Sequence, residues 1–371
     1  LPYLLTASLR KAGQQKTVCI LAATSGDTGK AALEGFRDVE HTKILVFYPD
    51  GGVSDIQKLQ MVTQEGGNVG VCAVRGNFDD AQTGVKTLFS DVSLREELAA
   101  RGYFLSSANS INWGRVLPQI VYYVSAYCDL VTAEQITMGE KVDVCVPTGN
   151  FGNIFAAYIA KRMGLPIGTL ICASNKNNIL TDFLNTGVYD RNRTFYTTMS
   201  PSMDILISSN LERLLYLIAG PEKTASYMKK LSETGRYEVE KDVLDEIQKN
   251  FRAYFCDEEK CAATIRGIFR KYSYVLDPHT SVAVYAAERF ITDYQTGYKN
   301  IVASTASPYK FAADVLASLG KDTAGLADKD VLEALSDYSK TEIPAPLASL
   351  FTKAVRFTDS IEKDTASMEN A

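Results

Sequence analysis

Histidine is nearly missing from this chain of 371 residues: only two occur, His41 and His279. That excludes a histidine-rich metal centre and an HExxH zinc site. A Ser-His-Asp triad would have to recruit one of the two, and no G-x-S-x-G elbow accompanies them. Cysteine is present but unpatterned, with seven residues scattered singly and Cys19, Cys145 and Cys172 set inside apolar runs. They read as buried, reduced thiols of a cytoplasmic protein. Cys256 and Cys261 form the one close pair, no histidine lies near them, and no metal is expected. The chain also lacks an apolar run of membrane-span length, and Leu1 to Leu5 is too short for a signal peptide. Its formal charge of -5 argues against nucleic acid as the main partner. Composition leaves the oligomeric state open. There is no initiator methionine either: Leu1 to Lys11 reads as the middle of an amphipathic helix, so a preceding N-terminal part is expected.

What is present is an ordinary globular composition, 46% apolar and 22% charged, with length enough for two domains. The chain is organised around Val142-Asp143-Val144-Cys145-Val146 followed by Pro147-Thr148-Gly149-Asn150-Phe151-Gly152-Asn153 and an alanine-rich helical pattern. A β-branched apolar run passing through glycines into a helix is the pattern of a buried parallel strand and its crossover. The helix's first N–H groups have no partner in their own helix, and they add to the positive end of its dipole, which suits a phosphate. Gly149 and Gly152 are expected to permit close backbone approach to that ligand. Upstream, strands at Thr17 to Ala22, Lys43 to Tyr48, Val69 to Val74 and Phe104 to Ser106 alternate with helices, which indicates βαβ units. The expected architecture is α/β, with two three-layer domains and largely parallel sheets. A small domain spans 1–112; a large one spans 113–371, carries an almost wholly helical insertion at about 211–275, and ends in a frayed polar tail from Asp359.

Ligands of parallel sheets sit at the carboxyl ends of strands, so three further loops matter. Ala23-Thr24-Ser25-Gly26-Asp27-Thr28-Gly29-Lys30 looks like a phosphate-binding loop, but Walker spacing fails, and capping by Thr24 or Ser25 remains open. Ser106-Ser107-Ala108-Asn109-Ser110-Ile111-Asn112-Trp113-Gly114-Arg115 concentrates hydroxyls, amides and an arginine whose guanidinium can grip two phosphate oxygens. Ala303-Ser304-Thr305-Ala306-Ser307-Pro308-Tyr309-Lys310 is again strand to helix.

Together with Ser200-Pro201-Ser202-Met203-Asp204-Ile205 and Asp277-Pro278-His279-Thr280, these segments resemble threonine synthase, in that family's order, from Ala23 to about Lys310. The resemblance implies the tryptophan-synthase-β-like fold, fold type II of the pyridoxal-phosphate enzymes. It also implies a lyase that converts O-phospho-L-homoserine and water to L-threonine and phosphate, the cofactor ring acting as electron sink. It assigns Gly149, Asn150, Phe151, Gly152 and Asn153 to the cofactor phosphate, and Thr305 to the pyridine nitrogen. It also places Asp27 near the cofactor's phenolic oxygen, where two negative charges would repel unless one is protonated. Thr28, Ser110 and Arg115, with Asn112 nearby, are candidates for the substrate's phosphate, and Ser25 for its carboxylate.

Two departures accompany the resemblance. Ser307 stands where the family usually has histidine. The Schiff-base lysine, which belongs to a Phe-Lys-Asp motif, is not in this chain and is expected upstream of Leu1. Lys30, Lys58 and Lys310 do not match it and read as solvated helix lysines. A non-catalytic homologue that binds a phosphate ester, or a dehydratase or cysteine synthase of the same fold, stays open as an alternative.

Overall fold

The computed structural model describes the whole chain except Ser25, Ser110 and Ile111, and the side chain of Asp79. The strands are β1 (Thr17–Ala23), β2 (Thr42–Pro49), β3 (Val69–Arg75), β4 (Tyr103–Ser107), β5 (Val142–Pro147), β6 (Ile167–Ser174), β7 (Val188–Asp190), β8 (Arg236–Glu238), β9 (Phe251–Phe255), β10 (Lys299–Val302) and β11 (Ser360–Glu362). The residues divide into two compact units, Leu1–Arg115 with Gly325–Ala371, and Val116–Ala324.

The first unit is built on a parallel five-stranded sheet in the order β11-β3-β2-β1-β4. Alternate residues of each strand face opposite sides, and the packing shows both sides covered. Val18, Ile20, Ala22, Ile44 and Val46 pack with Leu33 and Phe36 of the helix Asp27–Phe36 and with Met61 and Val62. Leu21, Ala23, Phe47, Cys72 and Val74 pack with Ala81, Val85 and Leu88 of the helix Phe78–Ser90 and with Met368. Helix, sheet and helix therefore make three layers, as expected from the alternation of strands and helices.

The C-terminal segment corrects the sequence reading. Residues 325–371 belong to the first unit rather than to a domain running from 113 to the end. The boundary itself falls inside the helix Trp113–Thr132. The tail from Asp359 is likewise not frayed: β11 pairs with the edge of β3, and the helix Thr365–Asn370 follows. Four contacts hold it and the residues just before it. Arg356 donates to the carbonyls of Gln64 at 2.6 Å and Gly66 at 3.0 Å, Arg75 pairs with Glu362 at 2.6 Å, and buried Met368 lies against Gly84, where a Cβ would collide with its sulfur. Met368→Ala should cost about 2–5 kcal/mol of stability, the usual range for emptying a buried methionine site. Chemical denaturation should show a lower midpoint at unchanged slope.

The second unit carries a parallel four-stranded sheet, β10-β5-β6-β9, and a short antiparallel pair, β7-β8. β5 is buried at every position. The helical reading of 211–275 needs a second correction, because β8 and β9 interrupt it and β9 extends the main sheet. In Phe251-Arg252-Ala253-Tyr254-Phe255 the first and third residues are buried and the second and fourth half-exposed. That period of two is short and lies between helices, so helical periodicity on both sides masks it.

Candidate functional site

In the second unit, β5 ends at Pro147 and the chain turns into the helix Gly152–Arg162. Phe151, at the N-cap, adopts a left-handed conformation with φ 60°, and no side chain caps the helix. Among the described residues, the backbone N–H groups of Asn150, Phe151, Gly152 and Asn153 donate to no protein acceptor. Their carbonyl sides, by contrast, are secured. Ser208 Oγ donates to the Gly149 carbonyl at 2.9 Å, and Asn210 donates to the Asn150 carbonyl through its N–H at 3.1 Å and its Nδ2 at 2.9 Å. In a trans peptide the carbonyl and the next N–H point in opposite directions. Tying back the two carbonyls therefore aims the N–H groups of Asn150 and Phe151 away from the 208–210 wall. The Asn153 side-chain oxygen accepts from the Tyr123 hydroxyl. Phe151 and Gly152 are buried, and buried donors left unpaired are costly. A phosphate ester fits this donor set.

The space left by Gly149 is taken by the protein itself rather than by a ligand. A Cβ there would stand 2.8 Å from the Ser202 carbonyl oxygen and 3.1 Å from Met203 Cα. The turn Pro201–Met203 that backs onto Gly149 is held by Asp204, whose carboxylate accepts from Asn175 Nδ2 at 2.7 Å, Asn177 Nδ2 at 2.9 Å, and Thr198 Oγ1 at 2.8 Å and N–H at 2.9 Å. Burial raises the Asp204 carboxyl above its ordinary value, against the lowering effect of these donors.

β10 lies beside β5 and parallel to it, so the 303–307 loop and the 148–153 loop leave the same edge of the sheet side by side. Thr305 is exposed, and its hydroxyl bonds to no described residue. Ser307 caps the turn Pro308–Phe311 by accepting from the Tyr309 N–H at 3.3 Å, a local task that a serine hydroxyl performs well.

In the first unit, β1 and β4 are parallel neighbours, which sets the 24–29 and 108–115 loops next to each other. Thr24, deeply buried, caps the first loop: its Oγ1 accepts from Gly26 N–H at 2.9 Å and Gly29 N–H at 2.8 Å. Asp27 Oδ1 accepts from Gln57 Nε2 at 3.0 Å. Thr28 is half-buried, and its hydroxyl and N–H bond to no described residue. Asn109 Nδ2 donates to the Ala23 carbonyl at 2.8 Å and stitches the two loops together. Asn112 donates to the Ser107 carbonyl and accepts from the Gly114 N–H, both at 2.9 Å, which fixes the entry to the helix that carries half-buried Arg115. Ser25 and Ser110 lie outside the described residues. Lys30 is engaged with Glu34 and Gln64, and Lys58 lies 3.7 Å from Asp50.

Sequence reasoning missed Gln57, Asn109, Asp204 and His279 as supports of these loops. Asn109, Asp204 and His279 lie in the motifs that carry the resemblance, yet nothing in the local pattern says which distant backbone each would hold. Comparison with known proteins gives the family. The family model described as "Pyridoxal-phosphate dependent enzyme" matches residues 1–306, and that described as "Threonine synthase, C-terminal" matches 280–371. Threonine synthase of Pseudomonas aeruginosa is 37% identical over 357 residues, covering 96% of this chain and 69% of that protein. The chain belongs to the threonine synthase family.

Human threonine synthase-like 1 is 45% identical over 329 residues, 86% of this chain and 44% of that protein. The chain thus spans less than half the length of this relative. The crystal structure of pyridoxal-phosphate-bound threonine synthase from Brucella melitensis superposes with a TM-score of 0.83 at 35% identity, covering 100% of this chain and 72% of that one. The family is pyridoxal-phosphate dependent, and its fold is the one seen here, α/β with parallel sheets. Among the described residues no helix is long and apolar enough to cross a membrane.

Proposed function

We propose that this chain carries the cofactor- and substrate-binding body of a threonine synthase converting O-phospho-L-homoserine and water to L-threonine and phosphate. One observation carries the reading most: a buried helix start whose N–H groups are unpaired while their carbonyls are tied back by Ser208 and Asn210. Gly149, Asn150, Phe151, Gly152 and Asn153 would hold the cofactor phosphate there. Thr305 would meet the ring nitrogen with a neutral hydroxyl, and Asp27 keeps the role near the phenolic oxygen that the resemblance gives it. When bound, pyridoxal phosphate supplies an electron sink for charge developing next to the substrate's amine.

The first unit's residues are assigned to the substrate. Arg115, Thr28 and Ser110 would bind its phosphate and Ser25 its carboxylate, while Asn112 and Asn109 hold the loop that presents them. The helix start at Asp27 adds its dipole to that task. Arg115→Ala should weaken substrate binding by at least ~1.5 kcal/mol, the lower end for a charge-assisted contact. Steady-state kinetics on O-phosphohomoserine would show it as about a tenfold rise in KM, and unchanged kinetics would remove Arg115 from the site.

Phosphate release from O-phosphohomoserine, compared with water loss from serine, separates this reading from a dehydratase of the same fold. Borohydride reduction of the cofactor-loaded protein and peptide mapping test the other alternative: failure to trap the cofactor on a lysine preceding Leu1 would favour a binding module. The seven cysteines are all free, which fits a reducing compartment, and we assign the protein to the cytoplasm.

A further inference from the structure

We propose that Asp277-Pro278-His279-Thr280 is a bracket that fixes both cofactor-facing loops of the second unit, 148–153 through His279 and 303–307 through Thr280. The inference rests on the pyridoxal-phosphate reading above and gives a task to a motif that reading leaves unused. Asp277 is the N-cap of the helix Pro278–Tyr294. Its Oδ1 accepts from the N–H groups of His279 at 2.8 Å and Thr280 at 3.2 Å, and from His279 Nδ1 at 3.1 Å; its Oδ2 accepts from the Thr280 hydroxyl. All three residues are buried. Capping alone needs only the two backbone bonds. The other two orient side chains, and each of those side chains reaches a different loop.

His279 faces a carboxylate with Nδ1, so the proton sits there and Nε2 is left as an acceptor. That lone pair takes the Ser202 N–H at 3.2 Å. The Phe311 ring, its centroid 4.9 Å away, packs on the imidazole and restricts its rotation. Ser202 in turn presses its carbonyl against Gly149, the first residue of the cradle. Through three contacts, Asp277 thus governs where the cradle backbone lies. On the other arm, the Thr280 hydroxyl spends its only proton on Asp277, so in its 3.3 Å contact with Ser304 Oγ it accepts and Ser304 donates. Ser304 immediately precedes Thr305. The two arms meet at one carboxylate, which keeps the phosphate-facing and ring-facing loops in register. His279 and Thr280 are positioning residues in this scheme and touch no ligand.

The test compares pyridoxal 5'-phosphate with pyridoxal, which lacks the phosphate, in titrations of the ligand-free full chain. His279→Leu should weaken pyridoxal 5'-phosphate roughly tenfold, the effect of one lost buried hydrogen bond on the loop it orders, and leave pyridoxal nearly unchanged. His279→Gln keeps an acceptor for Ser202 and should recover most of the loss. Thr280→Val should weaken both ligands to the same extent. Amide hydrogen exchange on the ligand-free chain gives a second readout. His279→Leu should raise exchange in 149–153 and at Ser202 but not in 303–307, and Thr280→Val the reverse. Equal losses of the two ligands in His279→Leu, no rescue by glutamine, or faster exchange throughout the unit would reduce the motif to a helix cap and overturn the bracket. If the unaltered chain bound neither ligand, the cofactor reading would fall, and the exchange pattern would decide on the bracket by itself.

Discussion

Asp204→Ala should destabilise the unit Val116–Ala324 by about 3–5 kcal/mol, the range for removing one partner from a buried charged network. The carboxylate accepts four hydrogen bonds, from Asn175, Asn177 and twice from Thr198, all within 2.9 Å. Alanine would strand these donors where water does not replace the lost acceptor. Asp204→Asn keeps the shape but turns one oxygen into a donor, and should cost about 1–3 kcal/mol. A urea titration followed by tryptophan-independent circular dichroism measures both, and a loss below about 1 kcal/mol for alanine would show that the network is dispensable. The pH profile carries a sign of its own. Because burial raises the folded-state value of Asp204, the stability linked to its protonation is fully present below its unfolded value, about 3.9. That contribution is lost as pH rises through the folded value. The stability gap between the unaltered protein and Asp204→Asn should therefore narrow as pH rises through that window.

Gly149→Val should weaken pyridoxal 5'-phosphate binding by between roughly tenfold and a hundredfold, the effect of about 1–3 kcal/mol of overpacking. The new side chain would meet Ser202 carbonyl oxygen and Met203 Cα, which are backbone atoms of a turn held by Asp204 and His279. Such atoms cannot swing aside as a flexible side chain can, so the cradle must shift and its N–H groups lose their aim. Gly267→Ala is the control. Gly267 lies in the helix Glu258–Tyr272 with nothing within 4 Å of the added Cβ, and alanine there should leave the cofactor's affinity unchanged while stabilising the helix by about 1 kcal/mol. Cofactor titration at a single pH separates the two variants. Wild-type affinity in Gly149→Val would mean that the 201–203 turn does not back the cradle.

Much of the fold was legible in the chain because its signals are local. β5 announces itself through an unbroken apolar, β-branched run, and the cradle through two glycines and two asparagines before an alanine-rich helix. The same is true of the loop from Thr24 to Gly29, whose hydroxyls and glycines are where a tight strand-to-helix turn needs them. The loop from Ser107 to Arg115 was equally visible as a cluster of hydrogen-bonding residues. Its internal division of labour was not: Asn109 and Asn112 look alike in sequence, yet one ties down Ala23 across 86 positions and the other shapes its own turn.

The sequence by itself determined that strands and helices alternate, that the sheets are largely parallel, and that the turn after β5 leads into a helix whose first N–H groups no side chain caps. Those properties follow from hydrophobic period and from glycine, asparagine and hydroxyl chemistry within a few residues. Only the tertiary structure decided that residues 325–371 return to the first sheet, that Phe251–Phe255 is a strand, and that Gly149 makes room for Ser202 rather than for a ligand. Each of these is a contact between segments far apart in the chain, such as Arg75 with Glu362 across 287 positions. An edge strand of three residues, or a glycine facing a distant carbonyl, has no neighbour in sequence to reveal it. Its stabilisation comes from surfaces that exist only once both partners have folded.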